Sequence, residues 1–304
     1  MQRTLYEFAA MLGPSRSMQW EPRVLKFNRT AVLATALLVS VCFIPPINGV
    51  LLNGVQAVRD FIDGRPERTA LFIGNSRTFY NNMPQMVRAI ADSAGHPERL
   101  RIEMDAQPGV SLSDHADDPK THILIAEGWD HVVLQVLSSE QYSAAQSDGV
   151  WEAAARFIAE VRETNSQPAM FVTWRYTDQC TPGEGLPPSA VGLPTSGYAN
   201  MHANIQSQHA LLAETTGVDL VNVGKLWESL QQQPMDFPLY SDCNHPSVYG
   251  SYLSALMFYS YFTGGQMAAV SYAPEAISPE DAAFIRTHVA DFLAENPFPE
   301  TATP

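Results

Sequence analysis

Ser76 follows Gly74-Asn75, and Asp242 stands three residues before His245 in the run Ser241-Asp242-Cys243-Asn244-His245-Pro246. A serine hydroxyl attacks a carbonyl carbon only when a neighbouring base takes its proton. An imidazole can be that base when an acid fixes its tautomer. The three-residue spacing lets one turn bring the carboxylate to one ring nitrogen and leaves the other for the serine. Pro246 biases His245 away from helical geometry. Gly74 permits a tight turn, so that Ser76 can sit at a helix N-terminus whose N–H groups would stabilise an oxyanion. The chemistry implied is nucleophilic acyl transfer. Its competitor is plainer: Ser76 caps a helix starting near Asn81 or Met83, and Asp242 is a turn residue.

Such residues need a frame. Ala70-Leu71-Phe72-Ile73, Leu100 to Met104, His131 to Gln135, Ala169 to Trp174 and Val218 to Val223 are short apolar runs. Between them lie stretches of helical periodicity: Met83 to Ala94, Val150 to Thr164 and Tyr198 to Thr216. Strands alternating with helices predict an α/β domain, a parallel sheet of about five strands covered on both faces. The uninterrupted run at His131 is expected near the sheet centre. In such sheets chemistry collects beyond the carboxyl ends of the strands. Ser76, Gln135, Thr173-Trp174-Arg175 and the Asp242–His245 loop should therefore share one rim. Asp178 to Gly197 holds four prolines and four glycines and reads as a long loop, of a length that is usually functional or mobile.

Composition sets the outer bounds. The 304 residues carry 18 Lys+Arg against 32 Asp+Glu, a net charge of −14, which argues against a nucleic-acid partner. The charge is uneven: residues 1–30 carry a local +3, leaving −17 on the rest. Ala31 to Ile44 follows as fourteen uncharged residues, broken by Pro45-Pro46. A basic flank with a short apolar core matches an export signal. Extending the run to Leu52 gives 22 residues, enough for an uncleaved membrane anchor. A buried helix of the globular domain is the alternative. The expected division is a leader and signal or anchor over 1–52, a linker over 53–67, the α/β domain over 68–295 and a tail over 296–304.

Gly74-Asn75-Ser76, Val132-Val133-Leu134-Gln135 and the block from Asp242 to Leu253, D-x-x-H-P-S-x-x-G-x-Y-L, together resemble the SGNH (GDSL-type) hydrolases. The resemblance covers roughly residues 68–265, and its last block is the most specific. It implies a three-layer, flavodoxin-like domain with Ser76 as nucleophile, His245 as general base and Asp242 orienting it. It also implies backbone N–H groups of Ser76 and Gly109 as oxyanion donors. The usual asparagine block after the third strand is absent, and Gln135 is its nearest substitute. No metal or organic cofactor is implied.

Arg77 and Arg175 are candidate contacts for substrate, as is His202, with surface roles as the alternative. The remaining histidines lack metal-ligand spacing. Cys180 and Cys243 either pair, pinning the long loop over the cleft, or remain free thiols. The function expected is that of an exported serine esterase. It would remove O-acyl groups, acetyl foremost, from a carbohydrate or other small ester in the periplasm or cell envelope, its N-terminal segment touching the membrane. An envelope polysaccharide O-acyltransferase with the same residues, or a binding protein without turnover, are the alternatives.

Overall fold

A computed structural model describes residues 64–143, 149–178, 185–186 and 197–299. The expected leader, its apolar segment, most of the linker and Cys180 lie outside the described residues. Among the described residues, no helix is long and apolar enough to cross a membrane.

Five parallel strands form one sheet: β1 (Glu67–Gly74), β2 (Arg99–Ala106), β3 (His131–Leu134), β4 (Gln167–Val172) and β5 (Asp219–Asn222). Their order is β2-β1-β3-β4-β5, so the uninterrupted run at His131 is indeed central. Alternate residues of each strand feed opposite faces. Phe72, Val133 and Phe171 join one core with residues of α2 (Met83–Ser93), α7 (Val223–Gln231), α8 (Val248–Thr263) and α9 (Pro279–Glu295). Leu71, Ile73, Val132, Leu134 and Met170 join a second core on the other face. The helices there are α3 (Leu112–Ala116), α4 (Pro119–Ala126), α5 (Val150–Glu163) and α6 (Tyr198–Thr216). The result is a three-layer α/β fold.

The helix after the histidine, α8, is buried on nearly every side from Gly250 to Phe262. Its aromatic residues are therefore core. Phe258 and Phe262 pack edge-on or tilted against Phe72 and each other, with Phe72–Phe258 centroids 4.9 Å apart.

Strand order places the site. From β1 the chain crosses to one side for β2 and to the other for β3, so the crevice beyond β1 and β3 is the topological switch point. Gly74 closes β1 there. A Cβ on it would come within 2.8 Å of Gln135 Oε1 and 2.7 Å of Thr78 Oγ1, so only glycine lets the two strand ends approach this closely.

Candidate active site

Ser76 opens α1 (Ser76–Phe79), whose cap is Asn75: the Asn75 carboxamide oxygen accepts from Arg77 N–H. Ser76 is thus the first helical residue and not a cap, and its backbone N–H falls outside the helix's own ladder. The longer helix α2 begins after Asn82, which makes no side-chain capping bond. Asn81 and Asn82 both have positive φ, turning the chain between the two helices.

The acid and base sit at the tip of a loop that closes on itself. Ser241 N–H donates to His245 O at 3.0 Å, Ser247 N–H donates to Leu239 O at 2.8 Å, and Tyr240 pairs antiparallel with Pro246. Asp242 Oδ1 accepts from the backbone N–H groups of Asn244 at 2.8 Å and His245 at 2.7 Å. Its other oxygen lies 2.7 Å from His245 Nδ1, and His245 Nε2 lies 2.9 Å from Ser76 Oγ. Burial opposes the charge of Asp242, but these N–H donors and the imidazole outweigh it and hold the carboxyl below its usual range. An ionised acid fixes hydrogen on Nδ1 and leaves Nε2 free to accept from the serine.

Neighbouring elements hold this arrangement. The Tyr80 ring stacks flat on His245, centroids 4.1 Å apart and planes 4° apart. Asn81 Nδ2 donates to Pro246 O at 3.1 Å, tying the nucleophile's segment to the base's loop. Trp174 Nε1 donates to Asn244 O at 3.0 Å and Thr177 N–H to Cys243 O at 3.1 Å, so the chain after β4 braces the loop from beneath. Gly185, with φ of 65°, packs directly on Asp242, and its carbonyl accepts from Asn244 Nδ2 at 3.1 Å. Cys243 is disulfide-bonded. The other two cysteines, Cys42 and Cys180, fall outside the described residues.

Several expected roles shift. Gln135 is buried, and its carbonyl oxygen accepts from Asn75 N–H and Thr78 Oγ1, both at 3.0 Å. Because a backbone N–H can only donate, this fixes the orientation of the carboxamide. Its nitrogen donates to Val136 O. Gln135 thus supports the nucleophile's turn through its oxygen. Arg77 is fully buried instead of facing solvent or substrate. Arg175 is engaged by Glu228 at 2.9 Å and Asp178 at 2.8 Å, with His202 3.9 Å from the same Glu228. Its charge is already compensated, which weakens it as an anchor for an anionic substrate.

Gly109 occupies the third position of the turn Gln107-Pro108-Gly109-Val110. Its φ is 70° and Val110 N–H donates to Gln107 O, the form in which glycine is favoured after proline. Asn75 Nδ2 donates to Val110 O at 3.1 Å, joining that turn to the nucleophile's loop.

Sequence reasoning missed Tyr80, Asn244 and Gly185. Asn244 stood in plain view between acid and base; the other two depend on tertiary contacts. It also passed over His115, whose buried Nε2 lies 2.8 Å from Gly74 O at the end of β1. Thr121 Oγ1 lies 3.3 Å from its other nitrogen and donates to buried Asp105, which Lys120 also contacts. Among the described residues no group of three or more His, Cys, Asp or Glu could hold a metal ion.

No family model matches the chain, and a search of curated proteins returns no match. Solved structures do match. A DUF4886 family protein from Bacteroides uniformis aligns at 15% identity with a TM-score of 0.63, covering 76% of this chain and 96% of that one. A protein from Slackia heliotrinireducens assigned to the SGNH hydrolases aligns at 25% identity and a TM-score of 0.50, covering 66% and 100%. An acetylxylan esterase from Geobacillus stearothermophilus aligns at 15% identity and 0.51, covering 69% and 99%. The chain shares the fold of these proteins, an SGNH hydrolase and an acetylxylan esterase among them.

Proposed function

We propose that this protein is a serine esterase of the SGNH type, acting on O-acyl groups of a carbohydrate or a similar small ester, with acetyl as the favoured acyl group. The observation that carries the reading is the unbroken relay Ser76 Oγ–His245 Nε2, 2.9 Å, and His245 Nδ1–Asp242 Oδ2, 2.7 Å, at the switch point of the sheet. The shared fold with an acetylxylan esterase is in keeping with the substrate class.

In this reading Ser76 Oγ attacks the acyl carbon while its proton passes to His245 Nε2. Asp242 stays ionised and stabilises the imidazolium. The N–H of Ser76, with that of Gly109, faces the oxyanion. Collapse expels the alcohol, which takes the proton from Nε2, and leaves an acyl-enzyme on Ser76. Water, deprotonated by His245, then releases the acid. Export across a membrane by the basic, apolar N-terminal segment belongs to the same proposal, as does a Cys180–Cys243 disulfide.

A fluorophosphonate probe tests the core of it. Mass spectrometry should find one adduct, on the Ser76 peptide, that disappears in His245→Ala. Folded protein that gains no adduct refutes the activated serine. Acetate release from an acetylated oligosaccharide, independent of any added acceptor, separates hydrolysis from acyl transfer.

A further inference from the structure

Arg77 follows the nucleophile, yet it is fully buried, and among the described residues no carboxylate lies within salt-bridge distance of it. Burial of a cation is costly unless its donors are used. Its Nε donates to Asn244 Oδ1 at 2.8 Å, and its Nη1 to Thr173 Oγ1 at 2.8 Å and to the Trp174 carbonyl. The guanidinium lies 5.0 Å from the Trp174 ring centroid and 5.6 Å from that of Tyr176. Four residues from two segments of the chain, Thr173, Trp174 and Tyr176 after β4 and Asn244 on the acid–base loop, thus clamp the side chain in one place, while Nη2 has no partner among the described residues.

That clamp sets the direction of Asn244. A guanidinium can only donate, so the carboxamide oxygen must face Arg77 and the nitrogen must face away. The nitrogen carries two hydrogens. Gly185 O takes one at 3.1 Å; the nitrogen lies 3.4 Å from His245 Nε2, the atom that also contacts Ser76 Oγ. Asn244 is itself buried, so the amide has little freedom to turn elsewhere. An oxygen bonded to Nε2 on the Asn244 side of the ring would come within reach of this amide. During ester cleavage that oxygen is the leaving one.

We propose that Asn244 is a catalytic residue that donates a hydrogen bond to the leaving-group oxygen, and that Arg77 is the positioning residue that aims it. This rests on the esterase reading. As the tetrahedral intermediate collapses, the bond between acyl carbon and leaving oxygen breaks and its electron pair stays on that oxygen. The Nε2 proton neutralises the charge, and Asn244 lends a hydrogen bond while keeping its own proton. Such help matters for a sugar or alkyl alkoxide, a poor leaving group. It matters little for nitrophenolate, which departs without a proton.

The test compares kcat/KM on ethyl acetate and 4-nitrophenyl acetate at the plateau pH, with melting curves to verify folding. Asn244→Asp keeps an oxygen for Arg77 and removes the N–H donor; Asn244→Ala is the second variant. Both should lose on the order of 10- to 100-fold on the alkyl ester and less than about threefold on the activated one. Arg77→Lys should lean the same way, because a single ammonium cannot span Asn244, Thr173 and Trp174. Adding it to Asn244→Asp should cost little more. Equal losses on both esters would assign Asn244 a structural role and overturn the inference while leaving the esterase reading intact. A parent protein that hydrolyses neither ester would overturn that reading, and this inference with it.

Discussion

Replacing Gln135 by methionine would separate support of the nucleophile from stabilisation of the oxyanion. Methionine nearly matches glutamine in length and fills the same buried volume, so the change removes polarity and leaves packing largely intact. It strands the Asn75 N–H and the Thr78 hydroxyl, both of which donate to Gln135 Oε1 at 3.0 Å. The Val136 carbonyl keeps a second donor, Gln141 Nε2 at 2.9 Å, and is not orphaned. Each stranded buried donor costs roughly 1–3 kcal/mol, hence about 2–6 kcal/mol for the pair. A domain of this size loses roughly 2–4 °C of Tm per kcal/mol, so the variant should melt about 4–24 °C lower. Its kcat on an acetyl ester, measured well below the transition, should stay within about tenfold of the parent. The reasoning is refuted if Tm hardly moves while kcat falls on the order of 100-fold or more, the signature of a lost oxyanion donor.

Other outcomes follow from the same contacts. Asp242→Asn keeps an oxygen for the two backbone N–H groups but presents an amide to His245 Nδ1, forcing the wrong tautomer; kcat should drop on the order of 10⁴-fold with the fold retained, as checked by steady-state kinetics and circular dichroism. Gly185→Ala would put a Cβ 2.2 Å from Asp242 Cγ, so activity should fall far more than Tm; unchanged kcat would show that the segment moves freely off the carboxylate. Burial lowers His209 to about 4, so between that value and 6.5 it takes up a proton only in the unfolded chain, and the stability this confers is present above 6.5 and lost as pH falls toward 4. Urea unfolding of His209→Phe across that window should show a slope of stability against pH flatter by about 1.4 kcal/mol per pH unit; an identical slope would refute this.

The five strands were readable because each is a short apolar run bounded by turn residues, and α6 was delimited by Tyr198 and by Gly217 in the left-handed cap after Thr216. α3 escaped notice because it is five residues long and polar, too short for periodicity to register. Its signal was the capping box Ser111-x-x-Asp114, in which each side chain reaches the other's backbone. α9 went unread as well, although Ser278, whose hydroxyl accepts from Asp281 N–H, and Pro279 mark its start. At the site, Ser76, Asp242 and His245 were legible because strand order sends their loops to one rim and three residues link acid to base. Gln135 and Arg77 were legible as residues but not as roles. Whether a carboxamide shows its nitrogen or its oxygen to a cleft, and whether an arginine turns in or out, depends on partners 57 to 167 positions away in the chain.

The contact between Gly185 and Asp242 joins two changes that lineages of α/β enzymes usually make separately. New specificity ordinarily comes by exchanging loops over a constant scaffold. Here a stretch of the long loop is also part of the footing of the acid, and it admits no side chain at that point. Drift through Asp178 to Gly197 would meet one fixed post, a glycine whose loss disables the chemistry before any new ligand can be tried. Shuffling that spares residue 185 remains open, so libraries that vary either flank while holding this glycine should retain far more working members than libraries that replace the loop whole.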